Sequence, residues 1–248
     1  MIIIKNASEI DKMRRAGELT ALAHKAVEQA VCPGVTTADL DKIATEVIRK
    51  NGGIPSFKGY NGFPANICAS VNEEVIHGIP SKRVLREGDI IGVDIGVVLD
   101  GFHGDAAATY GVGKISVEAQ RLIDVTKQAF YAGFAQAIPG NRISDISIAV
   151  QETAESAGFS VVREFVGHGV GHSLHEAPEV PNYHTGRRGV RLQEGMTLAV
   201  EPMINAGGYE ILKLKDDWTI VTADGSLSAH YEHSIAITKG EPILLTVL

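Results

Sequence analysis

Two cysteines, Cys32 and Cys68, are too few to staple a chain of 248 residues, and a reducing compartment follows. No apolar run approaches the ~20 residues that cross a bilayer. Met1-Ile2-Ile3-Ile4-Lys5 is too short for a signal peptide and lacks a basic start and a cleavage site. Basic charge is also in short supply. The net charge of -7 argues against a nucleic-acid binder driven by phosphate contacts. Low-complexity sequence is missing, so no linker divides the chain. The expectation is one cytosolic domain spanning 1–248. What is present, 44% hydrophobic and 21% charged residues, suffices for a substantial globular core.

The stretch from Asp89 to Tyr110, DIIGVDIGVVLDGFHGDAAATY, places two apolar runs around Asp100-Gly101. That dipeptide suits a two-residue hairpin turn because both residues tolerate positive φ. With the turn there, Asp105 faces Gly96, and Gly96 shares a face with Asp94 two residues back. The carboxylates become diagonal neighbours, roughly 5.5–8 Å apart at the backbone and able to reach one ion. Gly96, lacking a side chain, is expected to leave room for that ion. Ile90, Ile91, Val93, Ile95, Val97 and Val98 supply β-branched residues to both faces. Two aspartates among them repel and lose hydration unless a cation sits between them.

Taken in order, Ile2 to Lys5 reads as a short strand and Ser8 to about Ala30 as a helix, broken by Pro33-Gly34. Thr36 or Thr37 caps a second helix with Leu40, Ile43, Ala44, Val47 and Ile48 on one face. It ends at Asn51-Gly52-Gly53. An aromatic loop from Pro55 to Pro64 leads to a strand over Ala65 to Val71. The second half then repeats the first. At an offset of 106, Pro33-Gly34 falls on Pro139-Gly140, Asp39 on Asp145 and Gly52 on Gly158. Val117 to Ile138 is the second copy of the long helix. At an offset of 107, Leu85-x-Glu87-Gly88 falls on Leu192-x-Glu194-Gly195, and Asp94 on Glu201. The repeat, approximately 8–115 and 117–248, implies two α+β halves related by a pseudo-twofold, each giving a carboxylate to a central site.

Asp94, Asp105, Glu201 and Glu232 each interrupt apolar strand sequence. Four such charges together ask for divalent cations as counter-charge. With one histidine, the set is oxygen-rich and suits two first-row ions bridged by carboxylates and water, which acidify that water and polarise a carbonyl. His168, His172 and His175 compete for the nitrogen. His168 and His172 stand four apart, but Gly169 replaces the glutamate of a zincin helix, and Gly167, Gly169 and Gly171 oppose any helix. One histidine is expected as a ligand, one as an acid or hydrogen-bond donor and one as structural. His77, His103 and His184 read as solvent-facing or structural. Gly111 to Ser116 mimics a phosphate loop without its glycine spacing.

The ordered set Asp94, Asp105, His168, Glu201, Glu232 resembles the metal-binding signature of type I methionine aminopeptidases, which have a pita-bread fold. So do Asn72-Glu73-x-x-x-His77-Gly78-Ile79-Pro80, Asp100 to Asp105, Gly167-His168-Gly169-x-Gly171 and Glu201-Pro202. The resemblance covers essentially the whole chain. It implies an α+β fold of two pseudo-twofold-related halves around a central antiparallel sheet. It further implies two divalent metal ions (Co, Mn, Fe or Zn), with Asp94 on one, His168 and Glu201 on the other, and Asp105 and Glu232 bridging. His77 and His175 correspond to the family's catalytic histidines, which corrects the first reading of His77. The methionine pocket carries over to Tyr60, Phe63, Cys68, His77 and Trp218, a lining apt for a polarisable thioether. Two positions depart from the family pattern. Leu174 stands where an aromatic is common, and Phe57 where a cysteine is common.

The implied activity is removal of the initiator methionine from nascent polypeptide N-termini, with a small second residue preferred. The expected enzyme is a cytoplasmic monomer, met by its substrates near the ribosomal exit tunnel, without membrane or nucleic-acid specificity. The chain is expected to lack the zinc-finger extension of eukaryotic cytosolic members. An Xaa-Pro dipeptidase or creatinase-like hydrolase is the nearest rival, although such enzymes usually carry an extra amino-terminal domain. A non-catalytic peptide-binding module would typically have lost ligands, whereas all five are present. A metal-dependent phosphoesterase is the weakest rival.

Overall fold

The first helix, α1 (Ala7–Ala30), is capped by Asn6 rather than by Ser8. The Ser8 and Glu9 amides donate to the Asn6 side chain at 2.9 and 3.1 Å, and the Asn6 amide donates to the Glu9 carboxylate at 2.8 Å. The structure, a computed structural model, describes residues 1–248. Helix α2 (Thr37–Lys50) is capped by Thr36, with Asp39 closing the capping box. Helix α3 spans Val117–Ala135 and α4 spans Ile143–Ser156. The third helix stops short of Ile138, which precedes Pro139 and is pushed out of helical geometry.

The internal repeat is visible in detail. Helices α2 and α4 are both 14 residues long and start 106 residues apart. The Asp39 and Asp145 carboxylates each accept from the backbone amide that precedes their helix, Thr36 at 3.0 Å and Arg142 at 2.7 Å. Gly34 and Gly140 both have φ of 97°. The Gly34 amide donates to Leu85 O at 2.9 Å, as Gly140 does to Leu192 O at 3.1 Å. The answering bonds, Leu85 amide to Val35 O and Leu192 amide to Asn141 O, are both 2.8 Å.

Both halves contribute to one nine-stranded antiparallel sheet. Its main path runs Ile54–Pro55, Ile90–Leu99, Phe102–Gly111, Glu232–Ala236, Thr197–Val200, Gly167–Gly169, Glu176–Val180. Cys68–Val71 adds to Ile90–Leu99, and Ile243–Leu244 to Glu232–Ala236. The halves meet where Phe102–Gly111 pairs with Glu232–Ala236. One sheet face carries the helices. Ile91, Val93, Ile95 and Val97 pack with Leu19, Val27, Leu40 and Ile48 of α1 and α2. Leu198, Val200 and Ile235 pack with Phe130, Ile146 and Val150 of α3 and α4. Alternation leaves Asp94 and Gly96 on the opposite face.

Two strand expectations are corrected. Ile2 to Lys5 forms no strand; one backbone bond, Lys5 N–H to Gly195 O at 2.8 Å, and a buried ion pair between Lys5 and Glu176 hold it instead. The strand expected from Ala65 begins at Cys68. The Asp41 carboxylate of α2 accepts from the Asn66 and Ile67 amides at 2.8 and 3.1 Å, taking them from the sheet.

Candidate metal centre

The hairpin forms in the register that the turn dictates. Leu99 pairs with Phe102 and Gly96 with Asp105, along ten-residue strands without a bulge. Asp94 and Asp105 both open onto a cavity of about 350 Å³. Gly96 does not make room for an ion, however. A Cβ there would lie 2.6 Å from the Phe57 ring and 2.8 Å from Ser56 Cβ, so its bareness admits Phe57 to the cavity wall.

The second half brings Glu201 from the end of Thr197–Val200, Glu232 from the start of Glu232–Ala236, and His168 from Gly167–Gly169. All three line the same cavity. His168 Nδ1 lies 2.8 Å from Gly169 O, which assigns the ring proton to Nδ1 and leaves the Nε2 lone pair free. That Nε2 stands 3.4 Å from Glu201 and 3.9 Å from Asp105. Asp105, His168 and Glu232 each offer an atom within 4.8 Å of the others, as do Glu201, His230 and Glu232. Asp94 stands outside both tight groups and reaches the cavity from the hairpin side.

Nothing cationic offsets this charge. No Lys or Arg pairs with any of the four carboxylates, and Asp94 Oδ1, Asp105 Oδ1 and Glu232 Oε1 are buried without a hydrogen-bond partner. Burial, then mutual repulsion, raises Asp94, Glu201 and Glu232 well above the usual carboxylate range. Burial raises Asp105 to about 7. Burial likewise lowers His168 to about 3, so its ring is neutral and able to coordinate. Oxygen-rich donors with orphaned lone pairs fit divalent cations and nothing else on the protein.

Beside the carboxylates, Phe57, Phe63, Cys68 and Leu174 form one apolar cluster, with Trp218 packed against it. The Phe63 and Trp218 rings meet edge to face at 5.1 Å. Leu174 is 2% exposed, and the Phe57 ring shares its cluster. The two departures from the family pattern therefore meet in one place, the large side chain at 57 beside the smaller one at 174. His77 is not solvent-facing; it lines the cavity between Phe165 at 5.5 Å and Trp218 at 6.4 Å, with φ of 59°. That left-handed backbone costs of order 1–3 kcal/mol and occurs where packing over-determines a side chain. His175 stands at the rim, its Nδ1 2.7 Å from Tyr60 OH and its ring 4.0 Å from that of His168.

His172, His103 and His184 lie outside the cavity lining. His172 holds the hairpin turn, with Nδ1 3.0 Å from Gly101 O and its ring against Phe102. His103 Nδ1 lies 2.9 Å from Ser56 Oγ, and His184 is exposed. The Gly111 to Ser116 segment is a turn in which the Lys114 amide donates to Glu87 and Ser116 caps α3. Sequence reasoning missed Asn61, Ile76, Glu164, Phe165 and Val166 in the lining, and His230 behind it. Period-two alternation, which puts His230 on the side of Glu232, was a usable signal.

The chain belongs to metallopeptidase family M24, whose model matches residues 11–239. Within it, the similarity runs to methionine aminopeptidases. That of Clostridium acetobutylicum is 56% identical over 248 residues, covering 100% of this chain and 99% of the relative. Methionine aminopeptidase 1 of Bacillus subtilis is 53% identical over 96% of each chain. The crystal structure of the Thermotoga maritima methionine aminopeptidase superposes with a TM-score of 0.98, at 46% identity and with 100% of both chains covered. The prolidase of Pyrococcus furiosus, 20% identical, superposes at 0.80 over 99% of this chain and 66% of its own. It shows the shared fold. The α+β pita-bread architecture expected from the sequence is thus the observed one.

Proposed function

We propose that this chain removes the N-terminal initiator methionine from nascent proteins and peptides, preferring a small second residue. The carrying observation is the convergence of four uncompensated carboxylates and a neutral imidazole on one cavity with an apolar, sulfur-containing side pocket. Asp94, Asp105, His168, Glu201 and Glu232 would hold two divalent ions. When bound, those ions supply an acidified water and polarise the scissile carbonyl. Tyr60, Phe63, Cys68, Leu174, His77 and Trp218 take the methionine side chain, a flexible thioether that suits aromatic and thiol walls.

Burial lowers His77 to about 4, so it is a neutral ring held by packing close to the peptide bond. His175 Nδ1 lies 2.7 Å from the Tyr60 hydroxyl, and in the tautomer where that hydroxyl donates, the ring proton of His175 sits on Nε2. That N–H is placed to donate to the carbonyl oxygen as negative charge develops there. Tyr60 and His175, stacked at the rim, narrow the exit past which the second residue leaves, which favours small ones.

The two halves act as one catalytic unit over 1–248, supported by the sheet they share. No helix of the chain is long and apolar enough to cross a membrane. The reading carries with it a cytoplasmic monomer meeting nascent chains near the ribosomal exit tunnel. Apo protein reconstituted with Mn, Co, Fe or Zn and assayed on Met-Ala-Ser, Ala-Pro and a phosphoester tests the whole reading. Metal-dependent release of methionine alone is expected; faster cleavage of Ala-Pro would make the chain a prolidase.

A further inference from the structure

His230 is 4% exposed and closes the strand Ser228–His230. Its backbone is fixed from both sides by one side chain. The Thr109 hydroxyl donates to His230 O at 2.9 Å, and the His230 amide donates to Thr109 Oγ1 at 2.9 Å. Met203 pairs with it across the neighbouring strand. The ring is thus aimed by rigid elements, on the side that Glu232 shares two residues later.

What it is aimed at decides its role. Nε2 is buried and has no hydrogen-bond partner, although such groups are nearly always satisfied. It stands 3.7 Å from Glu201 Oε2, beyond hydrogen-bond length. Two atoms that each bind one ion at about 2.0–2.2 Å stand about 3–4 Å apart. His168 Nε2 keeps that same spacing from Glu201 Oε1, 3.4 Å, and from Asp105, 3.9 Å. Glu201 is therefore flanked by an imidazole nitrogen at each oxygen. Glu201, His230 and Glu232 also complete a group whose donor atoms all lie within 4.8 Å of one another.

The geometry points to His230 as a sixth donor, placing a second imidazole nitrogen on the metal ion held by Glu201 and Glu232. This rests on the metal-centre reading above. It goes beyond the five-residue set, because it makes the centre richer in nitrogen. Imidazole suits Zn, Co and Fe better than Mn, so His230 biases the site toward the former.

Two measurements on intact protein test it. The first is a crystal structure of the wild-type chain loaded with Zn or Co, with the ions located by anomalous scattering. His230 Nε2 within about 2.0–2.3 Å of an ion is expected; a separation beyond 3 Å from every ion overturns the proposal. The second is calorimetric titration of apo wild type, His230→Gln and His230→Ala with Zn and with Mn. Both variants should lose at least tenfold in Zn affinity, with a smaller loss for Mn, and His230→Gln should keep the apo melting temperature of the wild type. If His230→Gln binds Zn as tightly as wild type, His230 is a hydrogen-bonding residue and not a ligand. Failure of the wild-type chain to bind any divalent ion would instead remove the metal-centre reading itself.

Discussion

The two halves share a scaffold and differ in how they deliver their donors. In the first half, Asp94 and Asp105 sit in mid-strand on one hairpin, ten residues per strand, paired without a break. In the second, Glu201 and Glu232 sit at the ends of strands of four and five residues, and His168 on one of three. The first half's core cluster is aliphatic but for the partly buried Tyr110 beside it. The second is built around Phe130, whose ring meets Tyr131, Tyr231 and His233 at 5.1 to 5.4 Å. A local hairpin carries both aspartates, whereas long-range pairing of short strands brings in both glutamates. The same chemistry is reached by different positioning.

Removing one donor from each half is the strongest way to break that comparison. Asp105→Asn and Glu201→Gln should each bring activity to background, with metal lost, as judged by metal content after dialysis and by Met-Ala-Ser turnover. Asp105→Asn has a second signature. Because its folded pKa of about 7 lies above the unfolded value near 4, the stability linked to this proton is full below about pH 4. It is lost as pH rises through about 7. Urea unfolding of the apo proteins at pH 5 and pH 8 should show less pH dependence for Asp105→Asn than for wild type.

The next effect falls on the rim rather than on the donors. His175→Ala should keep its metal and its fold yet lose about 10²–10⁴ in kcat, the range of acid–base and oxyanion contributions. Arrival of the purified variant without metal would make His175 a ligand and displace His168.

The contrast also explains what could be read from the sequence. The hairpin register followed from Asp100-Gly101 and alternation alone, and the structure reproduces it pair for pair. The repeat followed from Pro-Gly breaks that recur with the same φ. Glu201 followed from the repeat and Glu232 from the apolar strand it interrupts, but His168 was singled out from its neighbours only by the family resemblance, because pairing between distant strands leaves no local trace. Gly96 shows the limit from the other side. Its need for space was legible, but the occupant, Phe57, comes from a loop whose path no periodicity encodes. His230 was overlooked because His168, His172 and His175 cluster in sequence and it does not.

A smaller effect probes the segment that ties the N-terminus to the second half. Lys5 and Glu176 are buried together, with side chains 2% and 5% exposed, and a Cβ on Gly171 would lie 2.4 Å from Lys5 Cε. Lys5→Ala should destabilise by about 3–5 kcal/mol by leaving Glu176 buried and unpaired. Lys5→Met with Glu176→Leu should recover most of it in chemical denaturation.

The smallest expected effect concerns the pocket. Leu174→Phe should overpack the cluster it shares with Phe57 and cost about 1–3 kcal/mol. Adding Phe57→Cys should restore stability. The ratio of kcat/KM for Met- over Leu-Ala-Ser should rise in the double variant by less than about tenfold, since a methylene-sized difference is worth ~1–3 kcal/mol. An unchanged ratio would show that residue 174 does not touch the substrate.

Two 14-residue helices offset by 106 residues, each followed by a return of the chain to the same Pro-Gly turn, are what a tandem duplication leaves behind. An ancestral unit half this size would have had to meet a second copy of itself to assemble a centre, and both copies would have been bound to identical residues. Fusion of two such units would release that constraint. Once joined, one copy could keep its aspartates while the other took up glutamates and a histidine, so that an asymmetric peptide would meet an asymmetric set of donors.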